Sequence, residues 1–588
     1  MSTILLFLSY LVLFWSADGF NINSMHKKSI LRPINNLNDI LGTRSIKSIN
    51  TGLNHYNTRK IFSDLKMAAT GAGDAVPIPS SSTDNKAIEL RKRKATLKKV
   101  LPLGLMLFFI LFNYTILRDT KDVLIVTAPG SGAEIIPFLK TYVNLPSAIA
   151  FTVLYSQLSN KFSTENVFYL VTTSFLAFFG MFATVMYPNR ALLHPEIFAD
   201  KLAAVLPAML VPMSSILRNW TFALFYTLAN MWGSVVVSLL FWGFANEITT
   251  VSEAKKYYPI FGLMANVALI FSGQYVKFVS NQRAGLPVGA DQWEYSLKLL
   301  MGAVVGCGGL VIGIMKWMQT KVLTDPDCAP DGEVKGKKKK KKTNMSMSES
   351  FKFLSSSSYI RNLALLVIAY GMSINIVEVA WKSKLKLAFP DPNSYSSFMG
   401  NFSTATGIVT LIMMLFGRFI FKQWGWGTAA LITPITLLTT GIGFFSLILF
   451  PQFFSPLTAK FGTSPLMLAV LIGAAQNILS KGAKYSLFDP GKEMAYIPLD
   501  QESKTKGKAA IDVIGNPLGK SGGSFIQQIL IGTCGSLTAA TSYLGGFLFV
   551  IIGVWIRAAT ELSKQFKEKN DAMEKEEWPL NEYEKKEQ

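Results

Sequence analysis

The chain has 588 residues, of which 50% are hydrophobic and only 16% are charged. A soluble globular protein carries about 25% charged residues, so this composition excludes an ordinary soluble enzyme and favours a protein with many membrane spans. The formal net charge is +21, and the three cysteines lie far apart, which predicts neither a disulfide framework nor a metal site. We expect no metal and no cofactor.

The composition of the N-terminus is typical of a targeting sequence. The apolar run ILLFLSYLVLFW at 4–15, followed by small residues, predicts a secretory signal peptide over 1–19; an uncleaved anchor is the alternative. Residues 20–66 are basic, rich in Ser, Thr and Asn and poor in acids, as in a transit peptide. Residues 67–99 then read as a flexible linker that ends in a basic segment before the membrane.

Twelve apolar segments of bilayer-crossing length follow. They are predicted at 101–117, 135–157, 166–188, 219–245, 257–280, 296–318, 359–382, 397–421, 427–450, 463–486, 508–534 and 537–557. A central loop at 321–358 divides them into halves at 100–320 and 359–560, and a polar tail follows at 561–588. We therefore expect an all-α polytopic membrane protein of two six-helix halves, major-facilitator-like, with a substrate site between the halves at the membrane midplane.

The central loop carries the run KGKKKKKK, and the segment ELRKRKATLKK precedes the first span. Both are typical of loops that fix membrane orientation under the positive-inside rule, so we place them on one face of the membrane. The alternative is a scaffold whose basic loop binds nucleic acid or anionic lipid. That alternative does not explain charges inside the spans, and we expect no nucleic-acid partner.

Charged residues inside membrane spans are costly and indicate function by default. RDTKD at 118–122 continues the first span, where Arg118 and Lys121 share a helix face and Arg118 and Asp122 are spaced as an (i, i+4) pair. Helix-end charges that reach back to water are the alternative. In the seventh span Glu378 and Lys382 have the same spacing and can pair.

The stretch GNPLGKSGGS at 515–524 is similar to a phosphate-binding loop, whose glycines expose N–H groups to phosphates. Three residues rather than four separate Gly515 from Gly519, and Pro517 removes one N–H, so a magnesium-dependent ATPase is the weaker interpretation. The glycines instead predict close helix packing, or an unwound turn that brings Lys520 to a cavity.

These charges predict a basic cavity for a polyanion such as a phosphorylated ligand. The candidate phosphate-binding residues are Arg118, Lys121, Lys382, Lys481, Lys484 and Lys520. Further candidates for substrate contact or coupling are Asp119, Asp122, Asn230, Glu247, Glu378 and Gln527. No residue is predicted to be catalytic, because we expect transport rather than an enzymatic reaction.

Five long stretches carry a family resemblance. They are RDTKDVLIVT (118–127), YGMSINIVEVAWK (370–382), FMGNFS (398–403), KYSLFDPGKEMAYIPLD (484–500) and KGKAAIDVIGNPLGKSGGSFIQQ (506–528). In this order they resemble the ATP/ADP translocase family of plastids and intracellular bacteria, from about residue 100 to 560. The resemblance implies exchange of ATP for ADP across a membrane without hydrolysis, and the N-terminus is similar to that of diatom members, which implies the inner envelope of a complex plastid.

The resemblance also implies roles for particular charges. The functionally important lysines of the family fall on Lys121 and Lys520, and one glutamate falls on Glu378. A second family glutamate, in a segment like FYVMAE, is replaced by Asn230 in FYTLAN, which puts the substrate pair and any proton coupling in doubt. The alternative function is a broader nucleoside triphosphate importer, with or without proton coupling. We expect a monomer.

Overall fold

A computed structural model describes most of the chain beyond residue 81. The described residues are 82–249, 251–282, 291–325, 328, 357–500, 503, 507–508, 511 and 515–586. The predicted signal peptide, the transit-peptide-like segment and the KGKKKKKK run lie outside these residues. The side chain of Lys520 also lies outside the described part of the chain, although its backbone is described.

The chain forms two compact units. The larger comprises residues 98–250 and 259–588 and contains all of the candidate site residues. Of the smaller, the structure describes residues 82–97 and 251–258, which are helical.

The prediction of an all-α protein with many membrane spans is confirmed. Nine helices in the described part of the chain are long and apolar enough to cross a membrane. One of them, Pro392–Leu449, contains two spans, because Gly425 breaks the helix with φ 75° and ψ 176°. The helical segments at 135–161 and Asn516–Cys534 bring the total to twelve. The helix Asn516–Cys534 lies inside the predicted span 508–534.

In chain order the spans are α1 (Ser82–Thr127), α2 (Ile135–Phe138, π-helical Leu139–Asn144 and Leu145–Lys161), α3 (Thr164–Met181 and π-helical Phe182–Met186), α4 (Trp220–Trp232, π-helical Gly233–Phe241 and Trp242–Ile248), α5 (Val251–Asn281), α6 (Gln292–Lys321), α7 (Ser358–Ala388), α8 and α9 (together Pro392–Leu449, divided at Gly425), α10 (Pro465–Ala483, π-helical Lys484–Phe488 and Asp489–Ala495), α11 (Asn516–Cys534) and α12 (Leu537–Lys586). Short helices at Arg190–Leu193, Glu196–Val205, Val211–Arg218 and Pro451–Lys460 lie between spans.

Several spans begin where the sequence supplies a capping side chain. An oxygen of Ser or Asp accepts a hydrogen bond from a backbone N–H that the first helical turn leaves unpaired. The residues that cap in this way are Ser163, Asp291, Ser357, Asp391 and Ser464. These caps fix the points at which α3, α6, α7, α8 and α10 begin.

The glycines of GNPLGKSGGS serve helix packing. An added Cβ at Gly371 of α7 would lie 2.7 Å from the carbonyl carbon of Gly519 in α11, and one at Gly523 would lie 2.9 Å from the backbone oxygen of Met372. The two backbones therefore pack in direct contact. Gly515 is already helical, with φ −62°, and α11 is unbroken from Asn516, so both the phosphate-binding loop and the unwound turn are wrong.

The two halves also meet through glycines. An added Cβ at Gly273 of α5 would lie 2.6 Å from the carbonyl oxygen of Gly400 in α8, and one at Gly407 would lie 2.8 Å from the carbonyl oxygen of Asn266. The backbones of α5 and α8 approach so closely that no side chain fits between them. The α5–α8 crossing thus holds the halves together beside the charged residues described next.

Candidate functional site

Charged side chains from both halves converge where the end of α1 meets α2, α7, α8 and α10. We call this group the central charge cluster. Its members are Arg118, Asp119, Lys121, Asp122, Lys140, Glu378, Lys382 and Lys481. Seven of the twelve candidates from the sequence are therefore brought together, and Lys140 is added to them.

Asp122 lies at the centre of the cluster. Its Oδ1 is 2.8 Å from the ammonium of Lys121, and its Oδ2 is 2.8 Å from that of Lys382. All three residues are buried, at 5% exposure or less. Burying a charge is costly unless it is paired, and here one carboxylate pairs with two lysines. Because Asp122 and Lys121 belong to α1 and Lys382 belongs to α7, the ion pair of Asp122 with Lys382 connects the two halves.

Glu378 extends the cluster toward α2. Its Oε1 lies 2.7 Å from Lys382, which confirms the predicted pair on one face of α7, and its Oε2 lies 3.8 Å from the ammonium of Lys140. Lys140 also donates a hydrogen bond of 2.5 Å to Asn375 Oδ1. The sequence analysis missed Lys140. A π-helical segment of α2 carries it, and π-helical segments are frequent at functional sites.

Arg118 makes the second connection between the halves. Its guanidinium lies 3.0 Å from Asp119 Oδ1 and donates a 2.9 Å hydrogen bond to Ser403 Oγ of α8. Ser403 in turn donates to Asp119 Oδ2 at 2.5 Å. The expected pairing of Arg118 with Asp122 is wrong, because Asp122 is already committed to two lysines and Asp119 lies closer to the guanidinium. The sequence analysis also missed Ser403.

Lys481 differs from the other basic residues of the cluster. Its ammonium lies 4.9 Å from the centre of the Phe402 ring, and it forms no ion pair with a described residue. Arg118 and Lys382 are close enough to repel it, while Glu378 and Asp119 attract it. An uncompensated ammonium in this position favours an anion beside it.

Tyr226 of α4 covers the other side of Lys121. Its ring centre lies 3.9 Å from the ammonium, a cation–π contact. Asn230 is one helical turn further along α4 and half-buried, just before the π-helical segment that begins at Gly233. Glu247 is exposed at the far end of α4, about 30 Å along the helix from Tyr226 at the usual rise per residue. It does not join the cluster.

The remaining candidates lie at the edge of the cluster or beyond it. Lys484 pairs with Asp489, at 2.9 Å, on its own helix α10. Gln527 of α11 is fully buried and donates a 2.8 Å hydrogen bond to the carbonyl oxygen of Asn375. It therefore supports the turn of α7 that holds Lys140. The backbone of Lys520 lies on α11 four residues before Ser524.

A cavity of about 320 Å³ lies apart from the cluster, beyond the end of α1. Tyr187, Arg190, His194 and Trp293 are among its lining residues, and Arg190 pairs with Asp291 at 2.6 Å. Burial lowers the pKa of His194 and raises that of Tyr187. None of the predicted residues lines this cavity. Among the described residues no group of three or more His, Cys, Asp or Glu could hold a metal ion.

The sequence motifs and the cluster agree with a single family. The model of the TLC ATP/ADP transporter family matches residues 89–566. The chain belongs to this family. It is 59% identical over 471 residues to "ADP,ATP carrier protein 2, chloroplastic" of Arabidopsis thaliana, covering 80% of this chain and 75% of the relative. It is 54% identical over 471 residues to "ADP,ATP carrier protein 1" of Chlamydia pneumoniae, covering 80% of this chain and 92% of the relative. The family is one of transporters, not enzymes.

Two solved structures resemble the chain at low similarity. One is a bacterial homologue of the iron transporter ferroportin in an inward-facing state, with 12% identity and a TM-score of 0.48, covering 79% of this chain and 99% of that one. Another is the nucleoside transporter NupG, with 12% identity and a TM-score of 0.45, covering 79% and 98%. The fold assignment rests on the twelve helices themselves.

Proposed function

We propose that the protein exchanges ATP for ADP across a plastid membrane by alternating access, without hydrolysing either nucleotide. The central charge cluster carries this proposal. It gathers five basic side chains and only three carboxylates at the contact between the halves. An excess of buried positive charge that no described carboxylate offsets is suited to a polyanion such as a phosphate chain.

Two basic groups are the best first contacts for phosphate. Lys481 has no described carboxylate partner, and Arg118 is half-buried with a planar guanidinium that can present parallel N–H donors to phosphate oxygens. They lie near enough to repel each other, so an anion that bridges them relieves that repulsion. Lys121, Lys140 and Lys382 then extend the basic surface on both sides.

The location of the cluster links binding to movement. Arg118, Lys121 and Lys140 belong to the first half, whereas Lys382 and Lys481 belong to the second. A phosphate chain that touches both sets holds the two halves together around the ligand. Rocking of one half against the other then carries the nucleotide across, as in other transporters built from two repeats.

Liposomes test the proposal directly. Purified protein is reconstituted into vesicles loaded with ADP, and labelled ATP is added outside. We expect ATP to enter only when ADP is inside, and to remain unhydrolysed. The Lys121→Ala variant should lose most of this uptake at unchanged abundance in the membrane.

Other results in the liposome assay would support a different function. Uptake of several nucleoside triphosphates driven by an imposed pH gradient, with no need for internal ADP, would indicate the broader importer. Magnesium-dependent release of phosphate without uptake would contradict transport altogether. Neither is expected, because the family relatives are named as ADP,ATP carriers and the GNPLGKSGGS segment forms a packed helix.

We further propose that the protein is a monomer in the inner envelope of a complex plastid. The basis for the location is the N-terminal sequence, in which a signal-peptide-like run at 1–19 precedes a transit-peptide-like segment at 20–66. A fluorescent fusion of residues 1–99 should enter the plastid, and deletion of 1–19 should leave it outside. Mass measurement of the purified protein in detergent checks the oligomeric state.

A further inference from the structure

The carboxylate of Asp122 has a role that binding of a polyanion does not explain. A site for phosphate gains nothing from a buried negative charge at its centre, since like charges repel. Yet both oxygens of Asp122 are occupied, one by Lys121 and the other by Lys382, each at 2.8 Å. The residue occupies the position at which a phosphate oxygen would contact these two lysines.

The ion pairs of Asp122 differ from those of the other acids in the cluster. Asp119 pairs with Arg118 of its own helix and reaches the second half only through the hydroxyl of Ser403. Glu378 pairs at 2.7 Å with Lys382 of its own helix, and its contact with Lys140 across the halves is longer, at 3.8 Å. Among the described residues of the cluster, Asp122 is the acid with a short ion pair to the opposite half.

We propose that Asp122 is a resident counterion that phosphate displaces, and that this displacement makes exchange obligatory. The proposal rests on the proposed antiport function. When no nucleotide is bound during the cycle, Asp122 joins α1 to α7 and resists separation of the halves at this level. A nucleotide phosphate offers Lys382 a stronger acceptor, so Asp122 withdraws to Lys121 on its own helix and the halves are released.

This competition between Asp122 and phosphate couples nucleotide binding to movement of the two halves. Each passage needs a phosphate to replace Asp122, so the return passage needs one as well. The carrier therefore returns only with a nucleotide bound. Lys382 keeps Glu378 as a partner throughout, at 2.7 Å, which leaves it paired while the exchange of acceptors takes place.

The variant Asp122→Asn separates this role from simple packing, because Asn is nearly the same size and cannot form the two ion pairs. We expect it to bind labelled ATP several-fold more tightly than the wild type, since no carboxylate competes. We also expect it to take up ATP into liposomes that contain no nucleotide, where the wild type takes up none. Asp122→Glu, which keeps the charge, should restore the need for internal ADP.

Asp489→Asn is the matched control. It removes a carboxylate of the same type from a 2.9 Å ion pair with Lys484, but both residues lie on α10 and the pair does not connect the halves. This variant should keep strict exchange. Wild-type affinity in Asp122→Asn, or strict dependence of that variant on internal ADP, would overturn the proposal.

Two further measurements distinguish failure of the proposed function from failure of the counterion proposal. Wild-type vesicles report on antiport itself: no exchange there refutes the proposed function and the counterion with it, whereas normal wild-type exchange beside a strictly coupled Asp122→Asn refutes the counterion alone. If Asp122→Asn does not reach the membrane folded, the double variant Asp122→Asn/Lys382→Gln removes one charge of each sign, which leaves Glu378 beside Lys140 and Lys121 against the Tyr226 ring. Strict exchange by that double variant also overturns the proposal.

Discussion

Two neighbouring glycines of α11 should respond differently to substitution by alanine. An alanine Cβ at Gly523 would lie 2.9 Å from the Cβ of Asn375 and 2.9 Å from the backbone oxygen of Met372. At Gly522 the nearest atoms are the Cε and Sδ of the Met372 side chain, each at 3.4 Å, an ordinary contact with a flexible group. Backbone cannot move aside as a methionine tip can.

The expected energies follow from these distances. Overpacking a tight contact costs about 1–3 kcal/mol. Replacing glycine by alanine inside a helix contributes about 1 kcal/mol of stability. Gly522→Ala should therefore stabilise by roughly 1 kcal/mol, because only the helix-propensity gain acts there. Gly523→Ala should be less stable than Gly522→Ala by about 1–3 kcal/mol, the cost of overpacking.

The midpoint of thermal unfolding, read as the loss of a monodisperse peak in size-exclusion chromatography after heating, compares the two variants. Gly523→Ala should also lower exchange, since it presses on Asn375, the hydrogen-bond partner of Lys140. Equal midpoints for the two variants would refute the assignment of these glycines to the α7–α11 contact. A lower midpoint for Gly522→Ala would refute it as well.

Three further predictions test the site and its surroundings. Lys481→Gln should raise the KM for ATP about 10–100-fold, the loss of one charged hydrogen bond, whereas Lys484→Gln should change it little; initial rates in ADP-loaded liposomes decide. Asn230→Glu should raise the KM too, because it adds a carboxylate one turn from the Tyr226 ring that contacts Lys121. Burial lowers the pKa of His194 in the folded protein below its ordinary value of 6.5. The folded protein should therefore be most stable above pH 6.5 and lose stability as the pH falls below it. The thermal midpoints measured above and below pH 6.5 should differ less in His194→Gln than in the wild type.

The spans and the motifs could be predicted because their signals are local. Runs of apolar residues predicted the helices to within a few residues at most ends, and the break between α8 and α9 falls at Gly425, inside the KQWGW stretch between two predicted spans. The pair of Glu378 and Lys382 follows from helix spacing alone. Each of these inferences needs only neighbours in the sequence.

The contacts of the central charge cluster depend on residues that are distant in sequence. Lys140 is 235 positions from Asn375, and Ser403 is 284 positions from Asp119, so no local pattern could pair them. The expected pairing of Arg118 with Asp122 was wrong for the same reason, since Lys382 of the opposite half decides where Asp122 points. The π-helical turns that carry Lys140 and Lys484 also leave no signal in periodicity.

A resident acid also explains how one site serves two ligands of different charge. ATP carries one phosphate more than ADP, so a fixed cluster that neutralises one of them leaves the other with an uncompensated buried charge, which is costly. Asp122 and Glu378 are acids that basic partners can exchange for phosphate oxygens, and both share Lys382. The longer phosphate chain displaces more of this carboxylate contact and the shorter chain displaces less. The proposed exchange of unequal charges therefore needs carboxylates inside a basic site, and their removal should alter the balance between ATP and ADP.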